Sequence, residues 1–374
     1  MPSVAFYISG HGFGHAARQI EVINALGARP DAPSIVVRSA AERWLFDRTL
    51  RTPVTHVTGA CDTGLVQIDS LRLDAGASIG EAARFHRRLP ELAEAEAGLL
   101  VAHEVRLVIT DAPPLGCAAA AYAAIPSVVL SNFTWDWIYQ AYPEPLQSAP
   151  DLLPAIQNAY RQASAGWRLP LGGGFAAVPD VVDMPFVARR ATHSRADARR
   201  LLGLPVDRPL VLLSFGGYGV RDLDPFALDC LADYGVVITH RGASGEPEAA
   251  IPRAVWSLEE RRLYDAGLRY EDLVAAVDVV VTKPGYGIVS ECLANATAVV
   301  YTSRGRFPEY DVMVAALPRL LRCAYLDQQD LFAGRWKHAI DAALQMAEPP
   351  ERPSTDGAEW AAARIMEHLR LAGV

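Results

Sequence analysis

The stretch Val279-Val280-Val281-Thr282-Lys283-Pro284-Gly285-Tyr286-Gly287-Ile288-Val289-Ser290-Glu291-Cys292-Leu293-Ala294 limits the possible folds of this chain most. Its β-branched run predicts a buried strand, the Pro-Gly pair a tight turn, and the rest an amphipathic helix. A helix that starts just past a strand end presents its unpaired first-turn N–H groups there, and that terminus suits a phosphate. Gly285 and Gly287 allow close backbone approach because no Cβ intervenes. Ser290 and Glu291 follow within that turn or the next, and a carboxylate there suits the paired hydroxyls of a ribose better than a phosphate. Taken alone, the same residues also fit an ordinary tight turn in an α/β sheet.

The pattern recurs along the chain. An apolar run at residues 4–9 leads into Gly10-His11-Gly12-Phe13-Gly14-His15, and residues 16–26 read as a helix with Ile20, Ile23 and Leu26 on one face. Strands are expected at 34–38, 107–110 and 127–130, the last two enclosing an alanine-rich helix. Such alternation predicts an α/β fold with parallel sheets covered on both faces. Ligands in these sheets lie beyond the strands' carboxyl ends. The loop at 10–15, the segment at 111–114 and the segment at 131–137 should therefore share one cleft wall. A glycine-rich loop is expected at 169–174 and a last strand at 181–185.

After a charged, arginine-rich stretch with a helical piece at 195–202, a second α/β series begins. It has a strand ending in glycines over 210–219, strands at 236–239, 279–282 and 299–302, a loop at 242–252 and a short helix at 271–277. The expected organisation is one Rossmann-like domain at 1–187, a connection at 188–208, a second Rossmann-like domain at 209–348, and a linker with closing helix at 349–374. A ligand should lie between the two domains.

Composition excludes several classes. With 374 residues the chain can form two domains, each with its own core. It has no stretch of about 20 uncharged apolar residues, so no transmembrane segment is expected. The N-terminus lacks the features of a secretion signal. Five scattered cysteines without paired spacing suggest reduced thiols and a cytoplasmic location. A net charge of −8 argues against nucleic acid as partner. Lysine occurs only at Lys283 and Lys337.

His11 and His15 are four apart, but no further Cys or His is placed to complete a zinc site, so no metal is expected. His15, near a helix start, suits a proton acceptor for an alcohol, with Asp111 to fix its tautomer and stabilise the imidazolium. The alternatives are that His15 caps its helix or only hydrogen-bonds substrate, and that Asp111 forms a turn before two prolines. Trp135, Trp137, Tyr139 and Tyr142 offer flat surfaces for a sugar ring, or fill a core. Asp136 between two tryptophans can accept bonds from sugar hydroxyls. Glu309 and Asp311 can do the same for a second sugar, or belong to an exposed acidic loop. Gly216-Gly217 offers a second close approach for a diphosphate. Neither a P-loop nor a Gly-x-Ser-x-Gly elbow occurs, and the 10–15 loop is not the dinucleotide pattern.

At these residues the sequence resembles the two-domain glycosyltransferases of the GT-B fold. Gly12-Phe13-Gly14-His15 and Pro284-Gly285-Tyr286-Gly287 with Ser290-Glu291 are similar to motifs of the peptidoglycan N-acetylglucosaminyltransferase group. A closer resemblance is to the glycosyltransferase-like N-terminal half of L-arabinokinases. It rests on Ser9-Gly10-His11-Gly12-Phe13-Gly14-His15-Ala16, on Ser131-Asn132-Phe133-Thr134-Trp135-Asp136-Trp137-Ile138-Tyr139, on Val182-Asp183-Met184-Pro185, and on the Gly285–Glu291 motif. The resemblance implies a UDP-type sugar nucleotide held by the C-terminal domain and an acceptor held by the N-terminal one. Gly216, Gly217, Lys283, Gly285, Tyr286, Gly287, Ser290 and Glu291 would then bind the donor nucleotide, with Glu291 on the ribose. Glu309 and Asp311 would face the donor sugar, and Gly12, Phe13, Gly14, Trp135 and Asp136 the acceptor cleft. Lys283-Pro284 departs from the Arg or Ser that often precedes that glycine. The kinase half of those longer proteins has no counterpart here, so kinase activity is not expected. The expected function is metal-independent transfer of a sugar from a nucleotide-diphosphate donor to an acceptor hydroxyl, with His15 as base and no cofactor. The alternatives are a non-catalytic sugar or sugar-nucleotide binding module and a sugar-nucleotide epimerase on the same fold.

Overall fold

The computed structural model describes residues 2–216, 220, 223–224, 227–240 and 253–371; Gly217 and the loop expected at 242–252 lie outside them. The strands are β1 Ser3–Ile8, β2 Ser34–Ser39, β3 Thr55–Thr58, β4 Val66–Gln67, β5 Leu73–Asp74, β6 Val105–Thr110, β7 Ser127–Phe133, β8 Ala165–Gly173 and β9 Val181–Asp183 in the first half. In the second half they are β10 Leu210–Ser214, β11 Gly235–His240, β12 Val255–Glu259, β13 Val279–Thr282, β14 Ala298–Tyr301 and β15 Cys323–Tyr325. The first half forms a seven-stranded parallel sheet in the order β3-β2-β1-β6-β7-β8-β9. The second forms a six-stranded parallel sheet in the order β12-β11-β10-β13-β14-β15. Only the small hairpin β4–β5 is antiparallel among the described strands.

The central strands β1, β7, β13 and β14 are buried along their whole length, as strands covered on both faces must be. Strand order reverses between β1 and β6 in one sheet and between β10 and β13 in the other. Helices leave opposite faces at such a reversal, which opens a crevice at the carboxyl ends. That is why the loops after β1, β6, β10 and β13 can meet.

One segment differs from the sequence-based expectation, and two others are helical. Residues 169–174 are no loop, because β8 runs to Gly173 beside a β7 that extends to Phe133. Their pairing shifts register between Ser131 and Phe133, and a methyl group on Gly172 would stand 1.5 Å from the Asn132 carbonyl. The glycine there serves strand-to-strand approach. Residues 135–140, in the segment beyond β7, form a helix. A helix Pro308–Leu320, with proline in its first turn, carries Glu309 and Asp311, for which an exposed acidic loop was the alternative reading.

Each half inserts an apolar side chain into the other. Leu71, beside the β4–β5 hairpin, packs into the core beneath the second sheet, and Ser70 Oγ donates to the Phe215 carbonyl at 2.5 Å. Phe307 packs in return among Phe133, Tyr142 and their neighbours, while Tyr142 Oη donates to the Arg306 carbonyl at 2.8 Å. The last helix, Gly357–Leu371, returns to the first half and packs against the helix Phe13–Gly27. No helix among the described residues is long and apolar enough to cross a membrane.

Candidate active site

A cavity of about 420 Å³ lies between the carboxyl ends of the two sheets. From the first half it is lined by Gly12, Phe13, Gly14 and His15, and from the second by Gly216, Lys283, Gly285, Tyr286, Gly287, Glu291 and Glu309. Eleven residues singled out from sequence thus share one space.

Two helix N-termini face each other in it. The helix Phe13–Gly27 follows Gly12, whose φ of 74° lies in the left-handed region that favours glycine. The helix Tyr286–Ala294 follows Gly285. Neither N-terminus has a side-chain cap, so first-turn N–H groups remain available to a ligand. The two turns nearly touch: a methyl group on Gly287 would come 3.4 Å from the Gly14 Cα. Tyr286 is buried at this junction, its hydroxyl accepting from the Val187 N–H at 2.9 Å.

His15 hydrogen-bonds through Nδ1 to Asp111 Oδ2, with Asp111 fully buried behind it. Arg18, one turn further along the helix, grips the other carboxylate oxygen through Nε at 3.0 Å and through Nη2. Burial alone would push the Asp111 carboxyl up, but Arg18 and His15 outweigh it and bring it down to about 2. Asp111 is therefore an anion throughout the neutral range, and with Nδ1 so engaged the imidazole has Nε2 left for a ligand.

Beside this pair lies Asp62, which accepts from Ser9 Oγ at 3.0 Å and from Trp135 Nε1 at 2.8 Å. Burial pushes its carboxyl up to about 6 against those two bonds and the nearby His15. His11 takes weak contacts at 3.4 Å from the Leu65 N–H and Gln67 Nε2. Burial, with His15, Arg304 and Lys283 nearby, holds it down to about 3, so it is neutral.

On the opposite wall, burial and Arg304 depress the Lys283 amine to about 7, against the pull of Glu309 and Asp69. Arg304 Cζ lies over the Phe307 ring, 3.7 Å from its centre, and the guanidinium pairs with Glu309 Oε2 at 3.5 Å. Glu291 is buried, and both bonds it receives from Arg189 fall on Oε1, one of them from Nε at 2.8 Å. Burial raises its carboxyl, Arg189 opposes that, and neighbouring Glu271 adds to it.

Four sequence-based assignments are corrected. Trp135 is fully buried with its indole bonded to Asp62, and it stacks on Tyr139 at 5.4 Å, so it is core and not a sugar platform. Asp136 is also buried, near Gln157 at 3.4 Å, and does not reach the cavity. Ser290 is buried, folds its hydroxyl back onto the Gly287 carbonyl at 2.9 Å and does not line the cavity. Asp311 is exposed and outside the cavity, because two residues along a helix point about 200° apart and Glu309 takes the inward direction. Reading the sequence missed Arg18, Asp62, Arg189 and the inward role of Asn132. Arg18 had a usable signal, since it stands three residues after His15 on the same helix face. Among the described residues no three His, Cys, Asp or Glu side chains gather as a metal site.

No protein-family model matches the chain. It is 31% identical over 380 residues to the L-arabinokinase of Arabidopsis thaliana, a match covering 97% of this chain and 34% of that protein. It is 33% identical over 129 residues to the UDP-N-acetylglucosamine--N-acetylmuramyl-(pentapeptide) pyrophosphoryl-undecaprenol N-acetylglucosamine transferase of Clavibacter michiganensis subsp. michiganensis, covering 33% of this chain and 34% of that protein. The matches thus span about a third of the length of each of these curated relatives. Among solved structures, the glycotransferase of kitacinnamycin superposes with a TM-score of 0.63 at 17% identity, over 99% of this chain and 100% of that one.

Proposed function

Because the chain has the GT-B glycosyltransferase fold, we propose that it transfers a sugar from a nucleoside diphosphate, with UDP as the first candidate, to an acceptor hydroxyl without a metal. The diphosphate sits at the N-terminus of the helix Tyr286–Ala294, with Lys283 beside it, and Glu291 Oε2 takes the ribose. The acceptor oxygen attacks the anomeric carbon, and the bond from that carbon to the diphosphate oxygen breaks with its electron pair leaving on the diphosphate. The acceptor's proton moves to His15 Nε2, and Asp111 balances the imidazolium. Helix-terminal amides and Lys283 stabilise the charge growing on the leaving diphosphate, where a metal would otherwise act.

One observation carries this reading. A carboxylate-backed imidazole and a second, uncapped helix N-terminus face one cavity from opposite halves. Incubation with a panel of UDP- and dTDP-sugars tests it, with transfer or slow hydrolysis expected. The absence of both products with every donor would overturn it. Calorimetry then separates turnover from the binding-only alternative.

The Lys283 amine gives a pH prediction. It is protonated below about 7 and discharged above, so it attracts an anion at low pH and ceases to as pH rises. The diphosphate of a nucleotide sugar keeps its charge over that range. Affinity for it should fall about tenfold between pH 6 and 8.5, since a bond to a charged group contributes about 1.5–3 kcal/mol. Lys283→Met should bind weakly at both pH values and show no slope. A slope unchanged in Lys283→Met would refute the assignment.

A further inference from the structure

We propose that Asn132, at the end of β7, is a positioning residue through which the first half orients Glu309 of the second half for the sugar end of the donor; this rests on the glycosyltransferase reading. Asn132 Nδ2 donates to Glu309 Oε1 at 2.6 Å, a bond between residues 177 apart, and both side chains are buried where they line the cavity. Oδ1 of the same amide accepts from Arg18 Nη1 at 2.5 Å. A guanidinium has no acceptor, so Arg18 dictates which way the amide points and leaves only the NH₂ for Glu309. Arg18 is itself fixed by Asp111 Oδ1 and by Ser131 Oγ at 3.0 Å. A continuous path therefore runs from His15 through Asp111, Arg18 and Asn132 to Glu309.

The path has a functional consequence. On its own side, among the described residues, Glu309 has an ion pair with Arg304 at 3.5 Å, too long for a strong bond, and the nearby charge of Lys283. The short bond that sets its carboxylate comes from the other half, and it exists only while the halves are together. Groups that would hold the nucleotide, at Gly285–Gly287 and Glu291, take no bond from Asn132. The sugar end of a donor should accordingly depend on Asn132, and the nucleotide end should not.

The test is calorimetry with UDP, UDP-glucose and UDP-galactose on the whole chain. Asn132→Asp keeps an acceptor for Arg18 and removes the donor to Glu309. Asn132→Leu removes both and serves if the first variant is misfolded. In either, UDP affinity should stay within about twofold of wild type, while affinity for a UDP-sugar should drop about tenfold or more. Combining Asn132→Asp with Glu309→Gln should lose no more sugar affinity than Glu309→Gln alone, because the first residue acts through the second. Equal weakening of UDP and UDP-sugar, no weakening, or additive losses in the double variant would each overturn the inference, since a merely structural asparagine gives those results. If wild type binds UDP and only the selectivity fails, this inference falls alone. If wild type binds no UDP compound, the same comparison is made with dTDP and its sugars, and binding of neither series takes both the underlying reading and the inference down.

Discussion

Replacement of His15 by alanine is expected to lower kcat for sugar transfer by about 10²–10⁴-fold, the usual contribution of a positioned general base. UDP affinity should change little, since the imidazole belongs to the half opposite the proposed nucleotide site. The size of the loss separates a proton acceptor from a group that only hydrogen-bonds substrate, whose removal would cost far less in kcat. Asp111→Asn should follow the same direction with a smaller loss. It removes the anion opposite a developing imidazolium and leaves Arg18 buried without its carboxylate partner. Steady-state kinetics on a donor identified from the panel measures both. An unchanged kcat in His15→Ala would assign the chemistry elsewhere.

Removing Arg189 should destabilise the chain by about 3–5 kcal/mol, the usual result of leaving a buried charge unpaired. Arg189 stands between two carboxylates, bonded to Glu291 and 3.4 Å from Glu271, which is fully buried. Glu271 keeps Arg269 at 2.6 Å, so Glu291 loses most in Arg189→Ala. The pH dependence follows from the sign of its shift. Burial already raises Glu291, and without Arg189 it rises further, so its protonated form becomes the favoured buried state. A group with a raised folded-state pKa contributes stability at low pH and loses it as pH rises. The deficit should thus be larger at pH 8 than at pH 5.5 in urea unfolding, and Arg189→Ala with Glu291→Gln should recover part of it. A deficit independent of pH would show that the arginine acts through packing alone.

Much of the fold could be read locally. The run 279–282 is β-branched and buried on both faces, the glycines at 285 and 287 mark a close approach, and both features are written within sixteen consecutive residues. Glu309 and Asp311 show where such reading stops. Both are acidic, two residues apart and after a strand, and the helix that begins at Pro308 turns one into the cavity and the other to solvent. Trp135 shows the same limit, because an indole that looks suited to a sugar ring instead holds Asp62 in the core. Composition does not say which face of a short helix is buried.

The amino-acid order by itself determined two successive α/β series and the glycine-bearing turns at the ends of β1 and β13, because backbone preference and apolar periodicity act over a few neighbouring residues. Tertiary structure alone decided the partners: Asp111 with His15 across 96 residues, Glu291 with Arg189 across 102, and Glu309 with Asn132 across 177. Those pairs depend on how two sheets dock and how each helix is rotated, and docking is set by side chains far apart in the chain.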